Sequence, residues 1–444
     1  MQKSINSQLI ANHEVLPEEQ FIIRCLRLEF DKEARENGAP FKFFPMDWDR
    51  VYDKAIQWHI APLLYKALLN QSAFFQSLDI PNDFLQKLKT TYVRTFYANK
   101  KNYDSLAEVL EVFNKEGIEV IFLKGSFLAH FVYKDIGLRS MSDIDILVKK
   151  DDLCAAERQL SLLGCEFLRT TQDKQALDHL IEKHRTSHHH LHPIVHPKGT
   201  KPLEVHWTIV HQDDPFNINI EGLWERAKSA QIDGKKVLVL SPEDTLLNHA
   251  LHASYCNKLV LYGMRSCCDV AAIINHYKQE IDWERLQRLA YEWGAEKYLY
   301  LTLRLSQEIL GAAVPEDILQ NLQPKPFHES LFLESKKRVI SAKAADAVPD
   351  VKRFNPHSSF MNKMLLFLQR VFIPQEELSA CYSLPAFSKR VYFYYIVRLF
   401  SLLYSVPFIL HLLIHKKGDA YKNNFDLWLI FPDAQRGNKK LNKK

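Results

Sequence analysis

The sequence predicts an α+β fold, a mixed sheet with flanking helices, joined to N- and C-terminal helical regions. Three observations predict it. From Pro17 to about Leu110, and again from Pro242 to about Leu310, apolar residues recur at three- and four-residue intervals, the period of helices with one buried face. Between these regions lie short apolar or alternating runs bounded by glycine and proline, which read as strands. Gly117 and Gly164 each close a helical stretch just before such a run, as left-handed C-caps do.

At 444 residues the chain has room for two or three domains with a core in each. A net charge of +5 from 58 basic and 53 acidic residues is too small for this size to imply a polynucleotide partner, so no long nucleic acid is expected. The seven cysteines are scattered and never spaced as CxxC, which argues against a zinc knuckle and for a reduced cytoplasmic compartment. The polar start, Met1-Gln-Lys-Ser-Ile-Asn6, leads into no apolar segment of signal-peptide type.

In chain order, the helical spacing that closes at Ser105–Glu116 gives way to Glu119-Val-Ile-Phe-Leu-Lys-Gly125, a buried strand running into a glycine turn. Ser126–Lys134 reads as helix. Asp143–Val148 reads as a second strand, with Ile144, Ile146 and Val148 on one face and Asp143, Asp145 and Leu147 on the other. A helix over Asp151–Leu163 and a strand at Cys165–Arg169 follow. Two further strands, His188–His196 and Pro202–Val210, are joined by a hairpin-like Pro197-Lys-Gly-Thr200, and Lys236–Leu240 is expected as an edge strand. Ser241-Pro242-Glu243-Asp244 announces a helix by its N-cap serine, its proline at the first position and its acids in the first turn.

The chemistry is concentrated in few residues. Period two places Asp143 and Asp145 on one face of their strand, a clamp for the Mg²⁺ (or Mn²⁺) that manages the negative charge of a triphosphate. Glu204 is a charged residue inside an apolar strand pattern, and is expected to be the third carboxylate of the metal cage. Gly125-Ser126 lies where a strand enters a helix, so its backbone N–H groups and the Ser126 hydroxyl are expected to face phosphates. Lys124 and Arg139 are candidates for neutralising triphosphate charge, against the plainer alternative of ordinary ion-paired residues.

Phe122-Leu-Lys-Gly-Ser-Phe-Leu-Ala-His130, then Arg139-Ser-Met-Ser-Asp-Ile-Asp-Ile-Leu-Val148, then Glu204-Val-His-Trp207, resemble the DNA polymerase beta-like nucleotidyltransferase superfamily. Within it they look most like a bacterial family usually called uncharacterised nucleotidyltransferases. The resemblance covers roughly residues 105–310. It implies a cytoplasmic, NTP- and Mg²⁺-dependent nucleotidyltransferase acting on an unknown acceptor hydroxyl or phosphate. Gly125 and Ser126 would then form the phosphate turn, Asp143, Asp145 and Glu204 would serve as catalytic metal ligands, and Lys124 and Arg139 would contact the nucleotide. Sixteen residues (127 to 142) separate Ser126 from Asp143, a few more than the superfamily's compact form, so a longer first helix or loop is expected. The expected division is 1–100 N-terminal helices, 101–240 nucleotidyltransferase core, 241–325 a helical domain closing the cleft, 326–358 a linker, and 359–444 an aromatic helical region with a basic tail. The alternative of another class is a non-catalytic nucleotide-binding or membrane-peripheral scaffolding protein.

Three further patterns have competing readings. His184, His188, His189, His190, His192 and His196 invite zinc, yet a strand hairpin explains the same residues without it. Arg265 and Asp269, four apart, either pair on their helix or face the cleft. Residues 391–417 are apolar and aromatic, but Arg398, Pro407 and His411 interrupt them, which disfavours a membrane span and leaves burial or a peripheral membrane contact.

Overall fold

A computed structural model of the chain describes residues 15–37, 46–70, 79–171, 173–211, 213–260 and 262–342, together with positions 372, 378, 390, 392–397, 428 and 429. The chain opens with helices α1 (Pro17–Phe30), α2 (Lys32–Asn37), α3 (Trp48–Gln57), α4 (Ala61–Asn70) and α5 (Asn82–Lys115). Pro17 starts α1 because its missing N–H costs nothing at the first position. Phe21, Ile22, Cys25 and Leu26, at helical spacing, are wholly buried. Helix α5 runs for 34 residues and ends before Gly117, whose φ of +73° is the left-handed conformation that glycine adopts without strain.

Helix α5 also fixes three loops. The buried Asn99 amide donates to the carbonyls of Ile136 and Arg139, and Asn102 Oδ1 accepts from both the N–H and the hydroxyl of Thr200. The Tyr103 hydroxyl donates to the Ser126 carbonyl at 2.7 Å.

The central region contains β1 (Ile121–Phe122), α6 (Lys124–Phe127, continuing as a π-turn over Leu128–Val132), β2 (Ile144–Leu147), α7 (Leu153–Leu162), β3 (Glu166–Phe167), α8 (Lys174–Ser187), β4 (Ile194–Val195), β5 (Leu203–His206), α9 (Ile220–Arg226), β6 (Lys228–Ile232) and β7 (Lys235–Val239). The seven strands form one mixed sheet in the order β3-β4-β5-β2-β1-β7-β6. Pairs β2–β5 and β1–β7 are parallel and the others antiparallel.

Three expectations are corrected. Strand β7, expected at an edge, is interior: β6 lies outside it, joined by Asp233-Gly234 with φ of +46° and +72°. An Asp-Gly pair with both residues left-handed is the two-residue turn that matches the twist of a hairpin. The strand expected over His188–His196 is confined to Ile194–Val195 and a single bridge between His190 and His206; Pro193, which has no N–H to give a ladder, lies between the two. Finally, Glu329–Ser341, within the stretch expected as a linker, is a helix that buries Leu331, Phe332 and Val339.

The sheet leads into α10 (Pro242–Ala250), α11 (Gly263–Tyr277), α12 (Trp283–Trp293), α13 (Glu296–Leu310), α14 (Glu316–Leu322) and α15 (Glu329–Ser341). Ser241 caps α10 through its hydroxyl, which accepts from the Asp244 N–H. Every residue of α10 is buried, and its acids are satisfied: Arg226 grips Asp244 with two bonds of 2.8 Å, and Glu243 accepts from the Asp282 N–H. Helix α13 packs against α1, and the buried apolar residues of the N-terminal helices, sheet and later helices form one continuous core. Among the described residues no helix is long and apolar enough to cross a membrane. The expected membrane contact at 391–417 falls outside the described residues except at 392–397.

Candidate active site

Strands β2 and β5 run parallel in a register that sets Asp145 directly beside Glu204. Because strand side chains alternate, Glu204 and His206 emerge on the same face, as do Asp143, just before β2, and Asp145. Three of these groups converge: one ligand atom from each of Asp145, Glu204 and His206 lies within 4.8 Å of the others.

Asp145, at 1% exposure, is the hub. Its Oδ1 accepts from Lys124 Nζ at 2.7 Å and from His206 Nε2 at 2.9 Å, while Oδ2 is buried with no partner among the described residues. Burial acts to raise the pKa of this carboxyl, but the charge of Lys124 and the hydrogen bond from His206 outweigh it and hold the group well below the usual carboxylate range. Burial would likewise discharge Lys124. Asp145 and Glu204 reverse that and keep the ammonium charged. His206 is raised despite burial by Asp145 and by Glu204, whose Oε2 is 3.5 Å away. Glu204 is lowered against burial, chiefly by His206. Half-buried Asp143 is raised by burial and then by the charge of Asp145, with Lys124 opposing and the Ser142 hydroxyl donating to its Oδ1 at 3.0 Å.

The backbone entering this site is strained. Lys124 has φ of +45°, a left-handed value that costs a non-glycine residue of order 1 kcal/mol. Gly125 is dictated by a close approach: a Cβ there would lie 3.1 Å from Arg139 Nη1 and 3.2 Å from Met141 Cγ. The Ser126 hydroxyl, expected to face phosphate, points instead at the carbonyls of Leu123 and Asp145, both at 2.8 Å, and ties the turn to β2. Its one proton is already engaged.

Arg139, read from the sequence either as a nucleotide contact or as an ion-paired residue, is ion-paired. Its guanidinium is buried against Asp269 of α11, with Nη2 to Oδ2 at 2.9 Å and Nε to Oδ2 at 3.2 Å, and Nη1 donates to the Ser140 carbonyl. Asp269 also accepts from the Tyr133 hydroxyl at 2.9 Å. Asp269 therefore pairs across the fold with Arg139, not along its helix with Arg265. Arg265 is buried, its Nε has no partner among the described residues, and its guanidinium lies 3.9 Å from the centre of the Tyr262 ring. Burial and the like charge of Arg139 bring it down to about 10, so it remains a cation.

His206 was the member of the constellation that sequence reasoning did not assign. Its signal was available: Glu204-x-His206 repeats, on the neighbouring strand, the same-face spacing of Asp143-x-Asp145. The donors suit a divalent cation. Carboxylate oxygens are hard ligands, one buried oxygen of Asp145 is unpartnered, and His206, donating to Asp145, orients it in the way outer-shell imidazoles orient metal ligands.

A seven-stranded mixed sheet with acids on adjacent parallel strands, a half-buried lysine just after β1 paired to one of them, and many helices defines an α+β protein of nucleotidyltransferase-like architecture. The family model described as uncharacterised nucleotidyltransferase matches residues 45–311, which include every residue of this site, and the chain belongs to that family. No curated protein and no solved structure matches it significantly.

Proposed function

We propose that the chain is a metal-dependent nucleotidyltransferase of the DNA polymerase beta-like type, moving a nucleoside monophosphate from an NTP to an acceptor hydroxyl or phosphate. The observation that carries this reading is the parallel register of Asp145 and Glu204, with Asp145 Oδ2 buried and unpartnered beside them. Asp143, Asp145 and Glu204 would hold Mg²⁺ or Mn²⁺. A bound ion of this kind supplies Lewis-acid neutralisation of phosphoryl oxygens.

The protein's own groups do the rest. His206 fixes the rotamer of Asp145 by donating to Oδ1. Lys124, kept charged by two acids, offers an ammonium to phosphate oxygens at the buried end, while Arg265 is a second buried cation whose Nε seeks an acceptor. The backbone of Gly125 and Ser126 lines the phosphate turn, and Arg139 acts one step back, holding α11 to the turn through Asp269. Glu204 takes the proton of the acceptor hydroxyl as its oxygen bonds the α-phosphorus and the bond from that phosphorus to the β-phosphate breaks, releasing pyrophosphate. The test is transfer of label from each α-labelled NTP, with Mg²⁺ or Mn²⁺, to components of a cell extract. Asp145→Asn should reduce labelling by about a thousandfold or more, the scale for losing a group that stabilises transition-state charge. Equal labelling by this variant would refute the proposal.

A further inference from the structure

Beside the acid centre lies a second donor set of a different kind. His184, on the last turn of α8, and His188, the residue that caps it, are four apart and stack with ring centres 4.0 Å from each other. That spacing puts two imidazoles on one helix face, the arrangement by which helices chelate transition metals. His190, two residues on, brings its ring 5.1 Å from that of His184, and a nitrogen from each of the three lies within 4.8 Å of the others.

Two of the three have one ring nitrogen engaged by a backbone carbonyl and the other open to a ligand role. His190 Nδ1 lies 2.7 Å from the Leu191 carbonyl and His184 Nδ1 lies 3.3 Å from the His190 carbonyl. Each Nδ1 therefore carries the proton, which leaves Nε2 with its lone pair. His211 packs against His188 at 5.3 Å, and its buried Nε2 has no partner among the described residues.

We infer that His184, His188 and His190 bind a divalent transition ion of the zinc class, separate from the carboxylate-held ion of the acid centre, with His211 or water in the fourth position. Neutral nitrogen donors select such an ion over Mg²⁺, which demands oxygen. Tetrahedral ligation at about 2.0–2.1 Å sets nitrogens about 3.4 Å apart. Small rotations of these half-buried rings therefore close the site. The site is structural. The segment that carries His190 pairs with β5, through Leu191 N–H to the Val205 carbonyl and Trp207 N–H to the His189 carbonyl, and β5 carries His206 onto Asp145. A metal here clamps the end of α8 to the strand that orients the acid centre.

The experiment uses the full chain without a polyhistidine tag. Elemental analysis after zinc loading and exhaustive dialysis should give about one zinc per chain in the wild type and in Asp145→Asn, falling about tenfold or more in His184→Ala/His190→Ala. CoCl₂ added to the zinc-free wild type should produce the strong visible absorption of four-coordinate cobalt, with or without the Asp145 substitution. Absence of that absorption and of retained zinc in the wild type overturns the inference whatever becomes of the variant's fold. So does zinc lost in Asp145→Asn but kept in the double histidine variant, which would place the ion in the acid centre. Because neither readout is activity, failure here is distinguishable from failure of the proposed transfer reaction.

Discussion

Replacing Asp269 by asparagine keeps its shape and removes its charge. In the native protein this fully buried carboxylate takes two bonds from Arg139 and one from Tyr133, and it is the acid that faces two buried arginines, Arg139 and Arg265. Charges about 4 Å apart at an effective dielectric of about 20 attract by about 4 kcal/mol, and breaking a buried ion pair by removing one partner typically costs about 3–5 kcal/mol. For a cooperative unit of this size, with each kcal/mol worth about 2 °C, Asp269→Asn should lower the melting temperature by about 6–10 °C. Thermal unfolding followed by far-UV circular dichroism measures it. Arg139→Met alone should be costly too, and the double variant should recover part of the loss, since it buries no unpaired charge at position 139. A single variant melting within about 1 °C of the wild type, or strictly additive losses, would refute the assignment of Arg139 and Asp269 as a coupled buried pair.

Lys124→Met should lower kcat/KM for label transfer by about a hundredfold while the protein stays folded, because Asp145 keeps its bond from His206; a change under about threefold would remove Lys124 from the phosphate site. Gly311→Ala should destabilise by about 1–3 kcal/mol in urea unfolding, since its φ is +72° and the added Cβ meets Asp31 after α1. His249 is pushed down chiefly by burial, with Asp269 opposing and Arg139 reinforcing. A folded value below the unfolded one, about 6.5, means the unfolded chain binds the extra proton, so stability from this group is present above pH about 6.5 and is lost as pH falls from there through the lowered folded value. His249→Asn should therefore show a shallower decline in melting temperature between neutral and mildly acidic pH than the wild type, and parallel curves would count against it.

Much of this was legible in the sequence because period and punctuation carry it. The same-face aspartates, the acid within an apolar strand, the Ser241 cap and the Gly117 stop each follow from local chemistry, and each lies where that chemistry puts it. What was not legible depends on contacts distant in the chain. Nothing local to Arg139 says that Asp269, 130 positions on, will claim its guanidinium, and nothing local to Ser126 reveals that Asp145 will present a carbonyl to its hydroxyl. The misplaced edge strand differs in kind, for Asp233-Gly234 advertised the hairpin and the exposed, polar β6 lacked only an apolar pattern to be noticed.

The 34 residues of α5 behave as a ruler laid across the site. Asn99, Asn102 and Tyr103 mark positions on it, and against those marks are set the loop carrying Arg139, the hairpin leading into β5 and the turn carrying Ser126. Loops anchored one by one would drift independently, and their errors would add at the acid centre. Anchored to one rigid rod, they move together, so the spacing between turn, arginine and strand survives motions that displace all three. The same economy makes the helix intolerant of a change in register: a single inserted residue upstream of Asn99 that shifts these marks turns them by about 100° and releases three loops at once.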